Sequence, residues 1–192
     1  MFSAKKIAAE LLRLAEQVKV LDVPDTRQTF DYDCGAKAAQ TILAYYGHDV
    51  REDGLLKALG TTTDGTNLKD IIKVLKKFGL HVKEGQLTPD DLRDAVDHGW
   101  PVLVPIQAWV SDLLQVDWSK AIEEGHYVVV IGYRDGDFIF EDPSAFEKQY
   151  LPEDELLERW HDYDMDGSKY NHYGVVVMGD PDYSSTKVKH LE

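Results

Sequence analysis

An α+β fold, with helices in the first half of the chain and strands in the second, follows from three features of the sequence. Apolar residues recur at helical spacing in Ala39, Ile42, Leu43 and Tyr46, and again in Leu68, Ile71, Ile72, Leu75 and Phe78. From Trp100 onward the pattern turns to extended runs: Pro101 to Gln107, His126 to Tyr133, Asp137 to Glu141 and Gly174 to Gly179. The two patterns do not alternate, which argues against βαβ units and for an antiparallel sheet with helices packed beside it. At 192 residues the chain has the length for one domain with a sizeable core.

Composition narrows the partners. The chain is 43% hydrophobic and 10% aromatic, as a folded globular protein is, and carries a net charge of −14. Nucleic acid and anionic membrane surfaces are excluded as expected partners, because phosphate binding needs a basic footprint. One cysteine rules out an internal disulfide and fits a reducing compartment. The N-terminus lacks an unbroken apolar h-region, and no apolar run approaches the roughly 20 residues of a membrane-spanning helix. The expected location is the cytoplasm.

In chain order, residues 3–20 read as an amphipathic helix capped by Ser3, with Ile7, Leu11, Leu14 and Val18 along one face. That face is expected to pack on the chain's own core; its alternative use is to engage a partner or a membrane, the latter disfavoured by the few basic residues that flank it. Asp22-Val23-Pro24 is a linker, since the residue before proline is pushed toward extended geometry. A helix then starts near Cys34, with Asp33 placed as its cap and Gly47 at its end. Leu55, Leu56 and Leu59 form a short helix ending at Gly60. The next helix follows Thr66-Asn67, with Asp70 in its first turn and Gly79 past its end. Leu80 to Glu84 read as a strand. Thr88-Pro89-Asp90-Asp91 combines a cap, a proline at the first helical position and acids in the first turn, opening a helix toward Gly99. Arg134-Asp135-Gly136 joins the two β-rich runs as a hairpin. Glu153 to Trp160 returns to a helical pattern.

The chemistry centres on Cys34. A thiol in the first helical turn faces unpaired N–H groups and the positive end of the helix dipole, which favour the nucleophilic thiolate. A lone cysteine is, however, more often a small buried apolar side chain. Gln28, six residues earlier, offers a neutral amide able to steady an oxyanion. Of the seven histidines, His48 and His98 sit at helix ends and His190 in the tail, whereas His126 opens the first strand of the hairpin and Asp142 closes the second. An antiparallel hairpin brings its two ends together. A two-residue turn at Asp135-Gly136 pairs His126 nearer to Ala145 than to Asp142; a bulge, or a tighter turn about Arg134, brings the carboxylate opposite. Such a group of residues performs nucleophilic catalysis: a base to hold the thiol proton, and a carboxylate to fix the ring tautomer. It calls for no cofactor and no metal.

The run Gln28-x5-Cys34-Gly35, closing on Tyr45-Tyr46-Gly47, resembles the C39 cysteine peptidases and C39-like domains of the papain-like superfamily. The resemblance continues through Asp64-Gly65-Thr66-Asn67-Leu68, Phe78-Gly79-Leu80, Gly125-His126-Tyr127-Val128-Val129-Val130 and Asp142-Pro143, covering most of residues 24–180. It implies a papain-like fold over residues 23–185, preceded by the helix of 1–22 and followed by a tail of 186–192. It also implies the roles: Cys34 nucleophile, His126 base, Asp142 orienting acid, Gln28 oxyanion donor. The implied activity is hydrolysis of a peptide or amide bond in a peptide or protein substrate through a Cys thioester. Family members without the nucleophile bind export substrates uncut, so a peptide-binding module is one alternative; acyl transfer from the same thioester is another. Such domains often remove leader peptides at a double-glycine site and are fused to an ABC exporter. This chain, with no transmembrane segment or ATPase motif, departs from that form.

Asp162-x-Asp164-x-Asp166-Gly167 copies the first half of a calcium loop, but Tyr173 stands where the bidentate Glu belongs. A solvated acidic loop is the expectation, with a weak calcium site as the alternative. Trp160, His161 and Tyr163 are candidates for the rim of a substrate groove. Trp100, Trp109 and Trp118 are expected to pack, the last two within a stretch without clear period, 108–124, that borders the site.

Overall fold

The computed structural model describes residues 18–109, 116–122, 124–164, 166–188 and 190. After a short strand β1 (Lys19–Val20) come α1 (Cys34–Tyr45), α2 (Glu52–Leu59) and α3 (Leu68–Lys77). Strand β2 (His81–Gln86) and helix α4 (Pro89–Asp97) lead into β3 (Val102–Gln107), β4 (Gly125–Arg134) and β5 (Asp137–Glu141). The chain finishes with β6 (Gln149–Pro152), α5 (Glu153–Arg159), the small hairpin β7 (His161–Tyr163) and β8 (Lys169–Asn171), and β9 (Tyr173–Met178). Seven strands make one antiparallel sheet in the order β2-β9-β3-β4-β5-β6, with β1 added beside β4. The α+β expectation holds, helices leading and sheet following.

Local sequence explains most of these boundaries. Thr88 accepts from the Asp91 N–H while the Asp91 carboxylate accepts from the Thr88 N–H, and Pro89 occupies the first turn of α4. The apolar stripe of α3 buries Leu68, Ile71, Ile72 and Leu75. All six residues of β3 are buried, as suits a strand in the middle of the sheet. Asp135 and Gly136 both take positive φ, the signature of the two-residue turn that joins β4 to β5.

The N-terminal segment differs from expectation. Residues 3–17 of the predicted helix lie outside the described residues. At its end Lys19 and Val20 are extended, paired with Tyr133 and Gly132, and Val18 is 45% exposed. The reason is a free length of β4 edge beside a glycine: a Cβ on Gly132 would collide with the Lys19 carbonyl, so only glycine admits β1 there. Backbone pairing outweighs a helical period at that point. Leu21 and Val23 then enter the core.

Helix α1 lies against β4 through another glycine. A Cβ on Gly35 would stand 2.9 Å from the Tyr127 ring, 3.1 Å from Thr66 and 3.2 Å from Ile71. Gly35→Ala reverses the usual helix preference for alanine: crowding on three sides is expected to cost about 1–3 kcal/mol, a fall in Tm of roughly 3–10 °C. Thermal melting of that variant checks the packing.

Candidate active site

Cys34 is the first residue of α1 and is half-buried. Asp33 occupies the cap position, fully buried, yet its carboxylate does not cap the helix. It turns back to accept from the N–H groups of Thr29 (3.1 Å) and Phe30 (3.3 Å). The expected cap is therefore a clasp that fastens the segment after Gln28 to the start of α1. Short acidic side chains serve either use, and nothing in the local sequence separates them.

Gln28 is fixed by its backbone. Its N–H donates to the Pro143 carbonyl at 2.9 Å, which puts it one residue from Asp142 across the chain. Its side-chain Oε1 is buried without a hydrogen-bond partner among the described residues.

His126 and Asp142 meet through an irregularity in the hairpin. Arg134 pairs with Asp137, Tyr133 with Phe138 and Gly132 with Ile139, but the next pair is Val130 with Phe140. Ile131 is the extra residue of a bulge. A ladder without it would set Asp142 against Val129, on the face away from His126; the bulge carries it one step on, to the level of Val128 and onto the His126 face. The carboxylate then reaches His126 diagonally, with Nε2 and Oδ1 2.7 Å apart. The two-residue turn and the bulge, set as alternatives by sequence alone, are both present.

The electrostatics follow from that contact. His126 is 1% exposed. Burial pushes its pKa down, but the hydrogen bond to Asp142 and the neighbouring Cys34 sulfur outweigh it, lifting the pKa to about 9. Burial alone would raise the Asp142 carboxyl; His126 and the Ser144 N–H and hydroxyl, at 2.8 and 2.7 Å, hold it below its ordinary value instead. With Asp142 ionised, Nε2 carries a proton and donates it. Nδ1, buried and without a hydrogen-bond partner among the described residues, is left for the neighbouring Cys34. Asp-Pro-Ser is turn chemistry as well: the Ser144 contacts form an Asx-turn on the oxygen that faces His126.

Trp109 lies over His126, ring centroids 4.5 Å apart at 54°. Beyond the pair opens a cleft of about 380 Å³ lined by Trp109, Ser144, Tyr150 and Arg159 among others. Residues 110–115 and 123 of the bordering stretch lie outside the described residues. Sequence periodicity gave no sign of the stacking of Trp109, since the residue follows the end of β3 in irregular chain.

The remaining candidates are placed elsewhere. Trp160 is fully buried core, not a groove rim, and His161 bonds the Ala121 carbonyl. The three acids of the calcium-like motif diverge: Asp162 lies against Gly125 and accepts from Gln107, Asp164 accepts from Tyr170, and Asp166 pairs with Lys69. Among the described residues no group of three His, Cys, Asp or Glu is arranged to hold a metal ion.

A raised His126 pKa means that the charged ring stabilises the fold. That stabilisation is complete below the unfolded value near 6.5 and is lost as pH rises through about 9. Denaturant unfolding between pH 6 and 10 should lose on the order of 3 kcal/mol from this group, and Asp142→Asn should flatten the loss.

Comparison with known proteins bears on the family and the fold. A family model described as the Peptidase C39 family matches residues 22–165. The Pediocin PA-1 transport/processing ATP-binding protein PedD of Pediococcus acidilactici is 30% identical over 123 residues, 64% of this chain and 15% of that protein. This chain thus spans a small part of that relative's length. Three solved structures share the fold. A double glycine motif protease from an AMS/PCAT transporter, in complex with the leader peptide, has a TM-score of 0.59 at 19% identity, covering 83% of this chain and 93% of that one. The peptidase domain of Streptococcus ComA gives 0.59 at 18% identity, covering 84% and 98%. A putative C39-like peptidase from Bacillus anthracis gives 0.64 at 17%, covering 85% and 99%. With the family model matching well more than half of its residues, the chain belongs to the Peptidase C39 family, a family of cysteine peptidases.

Proposed function

We propose that this chain hydrolyses peptide bonds through a thioester on Cys34, with His126 as base and acid, Asp142 as orienting carboxylate and Gln28 as oxyanion donor. The observation that carries the reading is the buried His126–Asp142 pair, 2.7 Å apart, whose other ring nitrogen is left for the only cysteine. The Cys34 sulfur attacks the scissile carbonyl carbon, and the negative charge gathers on the oxygen, where the Gln28 amide donates. As the tetrahedral species collapses, the C–N bond breaks and His126 gives its proton to the leaving amine. Water, deprotonated by the now neutral ring, then attacks the thioester and frees the acid and Cys34. Asp142 holds the ring in one tautomer throughout.

The substrate is a peptide or protein segment laid across Cys34 beside Trp109. A net charge of −14 supports a partner other than nucleic acid, and the absence of an internal disulfide supports work in the cytoplasm. The similar double glycine motif protease, solved with its leader peptide, makes a peptide ending in Gly-Gly the first probe.

A peptidyl-Gly-Gly-aminomethylcoumarin is expected to be cleaved by the wild type and not by Cys34→Ala. Asp142→Ala should lower kcat about 10²–10⁴-fold. A mass increase on Cys34 equal to the peptidyl group, trapped by rapid acid quench, identifies the thioester. Faster consumption of substrate on adding a second amine would mark an acyltransferase instead. Binding of the probe with no turnover, unaltered in Cys34→Ala, would mark a binding module and contradict the proposal.

A further inference from the structure

Glu141 takes no part in the chemistry above, yet it is one of the most buried charges in the protein, 1% exposed at the end of β5. A carboxylate so placed costs free energy unless it is paired. Its Oε1 accepts from the Thr26 N–H (3.3 Å) and pairs with Arg27 Nη1 (2.9 Å); Lys148 stands 3.7 Å from the second oxygen. All of Glu141's grip on the N-terminal segment therefore falls on the two residues before Gln28.

Thr26 is also tied to the helical half. The Thr26 hydroxyl bonds Thr41 Oγ1 at 2.6 Å and the Lys37 carbonyl at 3.1 Å, both on α1, the helix that begins with Cys34. Gln28 itself is tied to Pro143. Its amide oxygen has no hydrogen-bond partner among the described residues to orient it, so the backbone that carries it bears on where the side chain sits. That backbone is held by Glu141 at the Thr26 N–H and, through its guanidinium, at Arg27; Glu141 is next in sequence to Asp142.

We propose that Glu141 is a positioning residue: by gripping Thr26 and Arg27 it keeps Gln28 in register with Cys34 and the His126–Asp142 pair. The proposal rests on the assignment of Gln28 as oxyanion donor. Displacing a donor by about 1 Å costs on the order of 10²-fold in rate, while leaving ground-state binding of the peptide alone. Of the partners Glu141 would leave behind, Arg27 and Lys148 are part-exposed at 27% and 37% and Thr26 is only partly buried; all three find water, so its removal is compatible with folding.

The test is a double-mutant cycle on the Gly-Gly-aminomethylcoumarin peptide, with melting temperatures taken in parallel. Gln28→Ala should lower kcat about 10²–10³-fold. Glu141→Ala should lower kcat by on the order of 10²-fold with KM changed less than about twofold. Glu141→Gln should recover most of that, since its amide oxygen still accepts from Thr26. The double variant Gln28→Ala/Glu141→Ala should be no slower than Gln28→Ala, because a displaced donor that is already absent cannot be lost again. Should Glu141→Ala not fold, Arg27→Ala must show the same non-additivity. A slow Gln28→Ala with a fully active Glu141→Ala, or losses that multiply in the double variant, would overturn the positioning role alone. A fully active Gln28→Ala would overturn the oxyanion assignment and this proposal with it.

Discussion

The arrangement of the site depends on one contact, the 2.7 Å hydrogen bond between His126 and Asp142, and that contact depends on one extra residue in β4. In a sheet the side-chain period is two, so a one-residue slip sends a side chain to the opposite face. Without the bulge at Ile131 the β4–β5 hairpin would be as well bonded and as apolar, but the acid would face the wrong way. The glycine next to the bulge serves a second end: Gly132 admits β1, which closes over that part of β4. The irregularity and its cover therefore come together.

A second requirement is to bring a helix end and a strand end to one point. Cys34 comes from the helical half, His126 and Asp142 from the sheet, and nothing in either half alone fixes their separation. Two contacts do. Gly35 lets α1 settle onto Tyr127 with no Cβ between them. The stretch from Thr26 to Gln28 runs across both halves, bonded to α1 through Thr26 and to the end of β5 and its following turn through Glu141 and Pro143. A site built at such a seam needs the seam stiff, and the buried Glu141 carboxylate bonds the segment that crosses it. The clasp made by Asp33 on Thr29 and Phe30 works to the same end.

Much of this was legible in the sequence, for identifiable reasons. Helices α2, α3 and α4 announce themselves by amphipathic period and by glycine, threonine and proline at their ends, all of which are local signals. The β4–β5 turn is equally local. The bulge is not: Val128, Val129, Val130 and Ile131 are interchangeable apolar residues, and only pairing across the sheet decides which one is extra. The same holds for Asp33, whose carboxylate suits a cap or a clasp, and for Lys19 and Val20, whose strand exists only because a distant glycine leaves room. Trp160 and the acids of 162–166 mislead in the other direction, since short motifs and exposed-looking aromatics say nothing of the tertiary partners that claim them. The residues proposed for catalysis were each recognisable; their mutual geometry was not.

Whether Cys34 and His126 act as one charged pair is read from the rate of iodoacetamide alkylation against pH, in the wild type and in His126→Ala. With one cysteine in the chain, the modified residue is never ambiguous. A thiolate paired with an imidazolium reacts well below the ordinary thiol range, so the wild type should stay reactive at mildly acidic pH and His126→Ala should become reactive only near pH ~8.5. Identical profiles for the two proteins, both rising only near that value, would contradict the pair and leave the cysteine without a partner in catalysis.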